Sequence, residues 1–138
     1  MFKFLKIIFH ISTLFLIIIS LYPGSLFGLL VFGDISDQPN LAYNPYFRPL
    51  PKHLYTFASA LNHFICYVYI SLLGFFLYLK NENLKKIFCG LFFLSITLEV
   101  LHIIVPNRSF QLVDLIANIL GVLVAYFVVK IYLLLRHE

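Results

Sequence analysis

Charged residues are scarce in this chain: Asp, Glu, Lys and Arg make up 12% of its 138 residues, whereas a soluble domain usually carries about 25%. Hydrophobic residues make up 62% of the chain. A soluble fold of this length has too little interior to hide that much apolar surface. The composition therefore excludes an ordinary soluble domain and predicts a single small membrane domain over residues 1–138.

Basic stripes and cysteine clusters are also lacking. The net charge of +4 is scattered between apolar runs, so the chain has no stripe that would bind phosphates, and we expect no nucleic-acid partner. The two cysteines, Cys66 and Cys89, lie within apolar runs and are predicted to be small buried hydrophobic residues. Their spacing fits no structural zinc site.

Motifs of known enzymes and transporters are absent. The chain has no GxSxG elbow, no HExxH helix and no convincing cysteine nucleophile. It has no clear internal repeat and no pair of Gly/Pro-broken helices, so a transporter is disfavoured. We expect no cofactor and no resident metal, although the residue types of His63, His102, Glu99 and Asp114 permit a metal site that their spacing does not specify.

Four apolar runs are long enough for a helix to cross a membrane, which takes about 20 residues. They cover residues 4–22, 54–79, 87–105 and 115–135. The first run has the basic start of a signal peptide, but no small-x-small cleavage site follows, which favours an uncleaved anchor. The sequence predicts an all-α membrane protein, a bundle of four transmembrane helices.

The long loop over residues 23–53 holds five of the six prolines. Its segment 25–33 is too short to span and is a candidate for a re-entrant or interfacial piece. Three aromatic residues, Tyr43, Tyr46 and Phe47, suit the headgroup region of a bilayer.

The distribution of Lys and Arg predicts the orientation of the bundle. With four spans, seven basic residues share one side of the membrane and three share the other. Because basic loops stay in the cytoplasm, both termini are predicted to be cytoplasmic, and the long loop and the turn at residues 106–114 face outward.

Polar residues gather in the outward half of three predicted helices. Glu99 and His102 are three residues apart and share a helix face, as do Asp114 and Asn118 at a spacing of four. Arg108 lies in the turn between them. The second span contributes Asn62, His63 and Tyr67 at a similar depth.

Two interpretations of these polar residues remain open. Polar side chains often join transmembrane helices by hydrogen bonds, and Asp114 could simply be an N-cap. An acid inside a membrane is, however, a candidate functional residue by default. Gly121 has a simpler role, because with Ala125 it forms a small-xxx-small pattern that permits close helix packing.

The late polar stretch resembles the VanZ-like family of small bacterial membrane proteins, over about half of the chain. Members show an acid in a late span, a Pro-x-Arg turn, and then an Asp, an Asn and a Gly in the next helix. This chain carries them as Glu99, Pro106, Arg108, Asp114, Asn118 and Gly121. An upstream His-Phe pair followed by a Tyr is matched by His63, Phe64 and Tyr67.

The resemblance implies a multi-pass protein of the bacterial inner membrane, associated with the cell envelope. The resemblance indicates the fold more clearly than it indicates a reaction. The founding type of the family is linked with low-level resistance to the glycopeptide teicoplanin. This chain departs from the family pattern at two positions. Asn62 is the nearest polar group where members often carry an Asp-Lys pair, and His102 stands where many carry Gln.

Three functions follow as hypotheses. The favoured one is a protein whose outward polar site binds a membrane lipid, or a lipid-linked envelope precursor, by its anionic group. Arg108 would hold that group, with Asp114, Asn118, Asn62 and Tyr67 as further binding residues. The second is an intramembrane hydrolase or transferase using Glu99 with His63 or His102 as general acid and base. The third is a non-enzymatic partner in a membrane protein complex.

Overall fold

The computed structural model describes residues 2–22, 52–79, 81–105 and 110–136. These residues form four α-helices: α1 (Phe2–Leu21), α2 (Lys52–Leu77), α3 (Asn81–Leu101) and α4 (Leu112–Arg136). The described parts of the chain contain no β-strand, so the all-α prediction is confirmed. Residues 23–51, with the proposed re-entrant segment 25–33, and Arg108 lie outside the described residues.

The third helix differs most from its predicted bounds of 87–105. It begins at Asn81, six residues earlier, because Glu and Lys are good helix formers and extend the helix into a polar stretch that hydropathy leaves out. It ends at Leu101, where three successive i→i−3 hydrogen bonds of 3.0–3.2 Å tighten the backbone over residues 102–104. Such tightening is frequent at a helix end, and Pro106 forbids a regular continuation.

Three helices are long and apolar enough to cross a membrane, over Lys3–Leu21, Ser59–Leu77 and Leu112–Arg136. The remaining helix, α3, carries Lys85 and Lys86 near its start and Glu99 near its end. The surface of the bundle is apolar, as expected for a membrane protein: large apolar side chains such as Phe4 and Ile104 are 65% and 74% exposed. The chain is therefore a membrane protein.

Helices that follow one another along the chain run in opposite directions. α2 and α4 are parallel, because His63 contacts Asn118 near their starts and Phe76 contacts Tyr132 near their ends. α1 is antiparallel to α2, with Phe9 against Tyr78. α3 is antiparallel to α4, because Glu99 near its end contacts Asn118 near the start of α4. The start of α1 and the end of α4 both lie beside the end of α2 and so share one end of the bundle.

The two ends of the bundle differ in chemistry. One end, called the basic end, carries Lys3, Lys6, Lys85, Lys86, Lys130 and Arg136. The opposite end, called the polar end, holds the end of α1, the start of α2, the end of α3 and the start of α4. Between the two ends lies an apolar core of Phe9, Tyr67, Ile70, Phe75, Leu84, Leu91, Val122, Ala125 and Val129.

The closest helix approach occurs at Gly121 of α4, as the small-residue pattern predicts. A Cβ placed there would lie 2.7 Å from the Phe64 carbonyl oxygen and 2.9 Å from Tyr67 Cβ on α2. Ala125, one turn later, is fully buried. Only a residue without a side chain permits this contact, which fixes the register between α2 and α4.

Candidate functional site

Asp114 joins the starts of α2 and α4. It lies in the first turn of α4, where a negative charge is favourable because of the helix dipole. Its side chain turns to the neighbouring helix: Oδ2 accepts a hydrogen bond from Ser59 Oγ at 3.1 Å and lies 3.7 Å from His63 Nε2. Because α4 begins at Leu112, Asp114 stands inside the helix and not at its N-cap, and its side-chain contacts are interhelical.

Asn118 lies one turn further along α4 and contacts two helices. Its Oδ1 is 3.0 Å from His63 Nδ1 on α2, and its Nδ2 donates towards Glu99 Oε2 on α3 at 3.5 Å. With the amide in this orientation Oδ1 is an acceptor, so the hydrogen of that first bond is on His63 Nδ1. Asn118 is fully buried, and it links His63 of α2 to Glu99 of α3.

Glu99 is buried, with 1% of its surface exposed, and both of its carboxyl oxygens have partners. Oε1 accepts a hydrogen bond from the backbone N–H of Gln111 at 3.1 Å, and Oε2 receives the Asn118 amide. The Gln111 N–H is not used by α4, which begins at Leu112. Glu99 therefore ties the end of α3 to the start of α4.

His102 connects α3 to α1. Its Nε2 lies 3.0 Å from the carbonyl oxygen of Ser20, and its Nδ1 lies 3.4 Å from Glu99 Oε1. A carbonyl oxygen can only accept, so Nε2 carries a hydrogen.

These contacts form one continuous chain across all four helices, called the polar network. Its members are Ser20, Ser59, His63, Glu99, His102, Gln111, Asp114 and Asn118. A connected network in a low-dielectric interior is strong when its groups are satisfied and costly when one is not. The polar network therefore fixes the arrangement of the helices at the polar end.

A pocket of about 190 Å³ adjoins the polar network between α1, α2 and α3. Leu16 and Ile19 of α1 form its apolar wall. The residues that line the rest of it are Ser20, Asn62, His63, Cys66, Tyr67 and His102. The pocket is large enough to hold several water molecules.

Three buried side-chain oxygens have no hydrogen-bond partner among the described residues: Tyr67 Oη, Ser71 Oγ and Asp114 Oδ1. Buried polar groups in proteins are nearly always bonded, so each exception calls for an explanation. Tyr67 also lines the pocket, but its hydroxyl oxygen is itself buried.

The structure brings together most of the predicted site residues. His63, Glu99, His102, Asp114 and Asn118 all belong to the polar network, while Asn62 and Tyr67 line the pocket. Their participation in binding or catalysis stays a prediction. Arg108, the expected anion ligand, lies outside the described residues.

Three members of the polar network do not follow from the sequence reasoning. Ser59 lies four residues before His63, on the same helix face, so the spacing rule that groups His63 with Tyr67 points to it as well. Gln111 and Ser20 take part through backbone atoms, and no side-chain pattern indicates such contacts.

The expectation of buried cysteines is wrong. Cys66 and Cys89 are both exposed on the surface of the bundle. Their helices are apolar on the lipid-facing side as well as on the core side, so an apolar neighbourhood in sequence does not distinguish the two faces. Cys66 also lines the pocket, whereas Cys89 is not among its lining residues.

The four residues considered as metal ligands form two pairs, Glu99 with His102 and His63 with Asp114. Asn118 lies between the pairs and contacts both. Within the described ranges, no three His, Cys, Asp or Glu side chains come together as they would around a metal ion.

A family model described as VanZ/LLP1 matches residues 8–135, which is nearly the whole chain. The chain belongs to the VanZ/LLP1 family. The match reaches from residue 8 in α1 to residue 135 in α4 and includes every member of the polar network, so the resemblance first seen in the late polar stretch extends to α1. No curated protein matches this VanZ/LLP1 member. No solved structure matches it either.

Proposed function

We propose that this VanZ/LLP1 protein crosses the bacterial cytoplasmic membrane four times and binds an anionic lipid, or a cell-wall-related lipid-linked group, in the outward half of the bilayer. The basic end is cytoplasmic, with both termini, and the polar end faces outward. A role in low-level glycopeptide resistance follows if the ligand is an envelope precursor.

The orientation is supported by the charge distribution together with the helix directions. Seven basic residues fall in segments on the side of the termini and three on the other side, which is the bias that keeps segments in the cytoplasm. The fourth crossing, by α3, is supported by its position among the other helices. Its Glu99 is paired inside the bundle, which reduces the cost of an acid at membrane depth.

The pocket beside the polar network is the observation that carries the binding proposal. Interhelical hydrogen bonds alone would be explained by helix packing, at about 0.6 kcal/mol for each. Packing does not require an adjoining pocket of about 190 Å³. Concave sites with an apolar wall and a few polar groups are typical of ligand binding.

The residue type at position 108 supports an anionic ligand. Glu99 and Asp114 are buried and contact donors from the protein, and neither lines the pocket. By sequence, Arg108 lies in the turn that joins α3 to α4. A guanidinium group binds phosphate or carboxylate with two parallel hydrogen bonds, which a lysine does not provide.

An intramembrane hydrolase or transferase is the second candidate. It is favoured by the two His–carboxylate pairs, at 3.4 Å for His102 with Glu99 and 3.7 Å for His63 with Asp114. A general base needs a nitrogen that reaches the substrate. Both nitrogens of His102 already have protein partners within 3.4 Å. His63 retains 29% side-chain exposure and is the better candidate, but its Nδ1 is bonded to Asn118 and its Nε2 faces Asp114. Binding is therefore the better supported function.

Native mass spectrometry of the purified protein tests the proposal. The wild type is compared with Arg108→Ala and with Arg136→Ala, a matched control at the basic end. We expect an anionic lipid to stay bound to the wild type and to Arg136→Ala, and to be lost from Arg108→Ala. Equal lipid retention by all three proteins would refute the role of Arg108 and with it the proposed anion site.

A further inference from the structure

The basic end of the bundle carries an excess of positive charge. By sequence, seven basic residues and two acids, Glu82 and Glu138, fall on this side, so five positive charges remain there even if both acids are paired. The carboxylates that the structure describes, Glu99 and Asp114, belong to the polar network at the opposite end. Within the described part of the chain, no ion pair joins a Lys or Arg to a carboxylate.

Two of the lysines lie at the same level on neighbouring helices, Lys85 on α3 and Lys130 on α4. The rings of Phe88 and Tyr126 are 4.5 Å apart, so α3 and α4 contact each other at these rings. Lys85 lies three residues before Phe88, and Lys130 lies four residues after Tyr126. Because the two helices are antiparallel, both lysines are about 5 Å nearer the basic end than the rings. We call these four residues the lysine seam.

The ammonium group of Lys130 is held in place but is not neutralised. Its Nζ lies 5.6 Å from the centre of the Tyr126 ring, a cation–π contact that orients the charge. The ring occupies one side of a group that has three hydrogen-bond donors. Lys130 is half-buried and Lys85 is exposed. The lysine seam therefore presents two positive charges at the surface of the bundle, on two different helices.

We infer that the lysine seam binds the phosphate headgroup of an anionic phospholipid in the leaflet at the basic end. Lys85 and Lys130 contact the phosphate, and an acyl chain runs along α4 over Phe127, which is 61% exposed. A membrane lipid suits this surface because it places negative charge at the interface and hydrocarbon directly below it. Basic groups between transmembrane helices are typical sites for such headgroups.

This site goes beyond the proposed function, which concerns the polar end. By sequence, Arg108 follows the end of α3, whereas Lys85 lies near its start. Because the lysine seam is open at the surface, we expect its lipid to exchange with detergent during purification. Lipid that co-purifies therefore reports on Arg108, and lipid that is added afterwards reports on the lysine seam.

The lysines serve as their own probes. The purified full-length protein in dodecylmaltoside micelles is acetylated with an N-hydroxysuccinimide ester while dioctanoylphosphatidylglycerol is added, and mass spectrometry follows the rate at each lysine. We expect acetylation at Lys85 and Lys130 to slow about fivefold, the effect of about one lysine on binding at an anionic surface. Lys3 of α1, exposed at the same end, should be unchanged. Equal slowing at all three lysines would mean a general change of the micelle surface and would overturn the site.

Three variants test whether the two lysines act together. In Lys130→Gln, the lipid concentration that half-protects Lys85 should rise about fivefold. Lys130→Arg keeps the charge and should behave as the wild type. Lys3→Gln removes one charge from the same end and should also leave the protection of Lys85 unchanged. Equal weakening by Lys130→Gln and Lys3→Gln would show a diffuse attraction instead of a site.

Two other compounds test what is recognised. Dioctanoylphosphatidylcholine has the same chains and a phosphate but no net charge, so it should not protect Lys85. Equal protection by it would show that the net charge is not recognised, and the inference would be wrong. Equal protection by inorganic phosphate would indicate a site for a soluble anion and would refute the lipid. Protection by none of these compounds would overturn the site and leave an acidic protein as the partner of the lysines.

Arg108→Ala separates this inference from the proposed function. Added dioctanoylphosphatidylglycerol should protect Lys85 in Arg108→Ala as it does in the wild type. If that protection is lost, the lipid belongs to Arg108, so the lysine seam is refuted while the anion site stands. If Lys130→Gln weakens protection and Arg108→Ala keeps its co-purified lipid, the lysine seam is supported and the anion site at Arg108 is refuted.

Discussion

His63 and Asn118 face each other across two parallel helices, with His63 Nδ1 3.0 Å from Asn118 Oδ1. One turn earlier on the same two helices, Ser59 Oγ donates a hydrogen bond to Asp114 Oδ2 at 3.1 Å. Both pairs are separated by 55 residues in sequence, and this constant offset is what a parallel pair of helices in fixed register requires. The register of α2 on α4 is thus specified by hydrogen bonds at the polar end and by Gly121 below it.

Replacing Asn118 should test how much the polar network stabilises the bundle. In Asn118→Ala, His63 and Glu99 each lose a buried hydrogen-bond partner. We therefore expect a loss of about 1–3 kcal/mol in the free energy of unfolding. Unfolding in mixed micelles measures it. Asn62→Ala is the control, since Asn62 is exposed and its loss should change stability by less than about 0.5 kcal/mol. Equal effects of the two changes would contradict the bridging role of Asn118.

A methyl group at Gly121 should force α2 and α4 apart. Its Cβ would lie 2.7 Å from a backbone oxygen of α2, and backbone cannot turn aside as a flexible side chain can. We expect Gly121→Ala to lower the free energy of unfolding by about 1–3 kcal/mol, as overpacking in a core does.

Gly90→Ala is the matched control for this change. A Cβ at Gly90 meets nothing within 4 Å, and Ala is favoured over Gly inside a helix by about 0.5–1 kcal/mol. We therefore expect Gly90→Ala to be neutral or slightly stabilising. If Gly121→Ala were equally harmless, the close approach of α2 and α4 at this point would be wrong.

The sequence predicts the helical class and most of the polar end of this protein. The apolar runs reveal four helices, and the spacing rules group Glu99 with His102 and Asp114 with Asn118 on shared faces. The positions differ mainly at helix ends, as at Asn81, because hydropathy marks where a membrane span would lie and not where helical hydrogen bonding begins.

Other features need three dimensions. Helical spacing places His63 on a polar face of α2 and Asn118 on a polar face of α4. It does not predict that these two faces contact each other, because that depends on which helices are neighbours. The exposure of Cys66 and Cys89 is hidden for a related reason. In a membrane both the core and the surroundings are apolar, so composition alone does not separate a buried side from a lipid-facing side.

The carboxyl group of Glu99 should not be replaceable by an amide. Both of its oxygens face donors, the Gln111 N–H at 3.1 Å and the Asn118 amide at 3.5 Å. Glu99→Gln turns one acceptor into a donor, so two donors face each other, and we expect a loss of about 1–3 kcal/mol in the free energy of unfolding.

Gln111→Ala controls for this position. Only the backbone N–H of Gln111 contacts Glu99, and Ala keeps that group, so thermal unfolding in detergent should match the wild type. A Glu99→Gln protein as stable as Gln111→Ala would mean that Glu99 contributes little to the polar network.

The orientation of the bundle can be measured by labelling single cysteines in intact bacterial cells. Starting from a chain with Cys66→Ser and Cys89→Ser, one variant carries Phe110→Cys at the polar end and the other carries Lys86→Cys at the basic end. Both positions are exposed.

Because basic segments stay in the cytoplasm, a membrane-impermeant maleimide should label the Phe110→Cys chain in intact cells and the Lys86→Cys chain only after the cells are opened. The reverse pattern would place the polar network in the cytoplasmic half of the membrane, and an envelope-facing ligand would then be untenable. Labelling of both positions in intact cells would show that α3 does not cross the membrane, because Lys86 lies near the start of that helix and Phe110 follows its end.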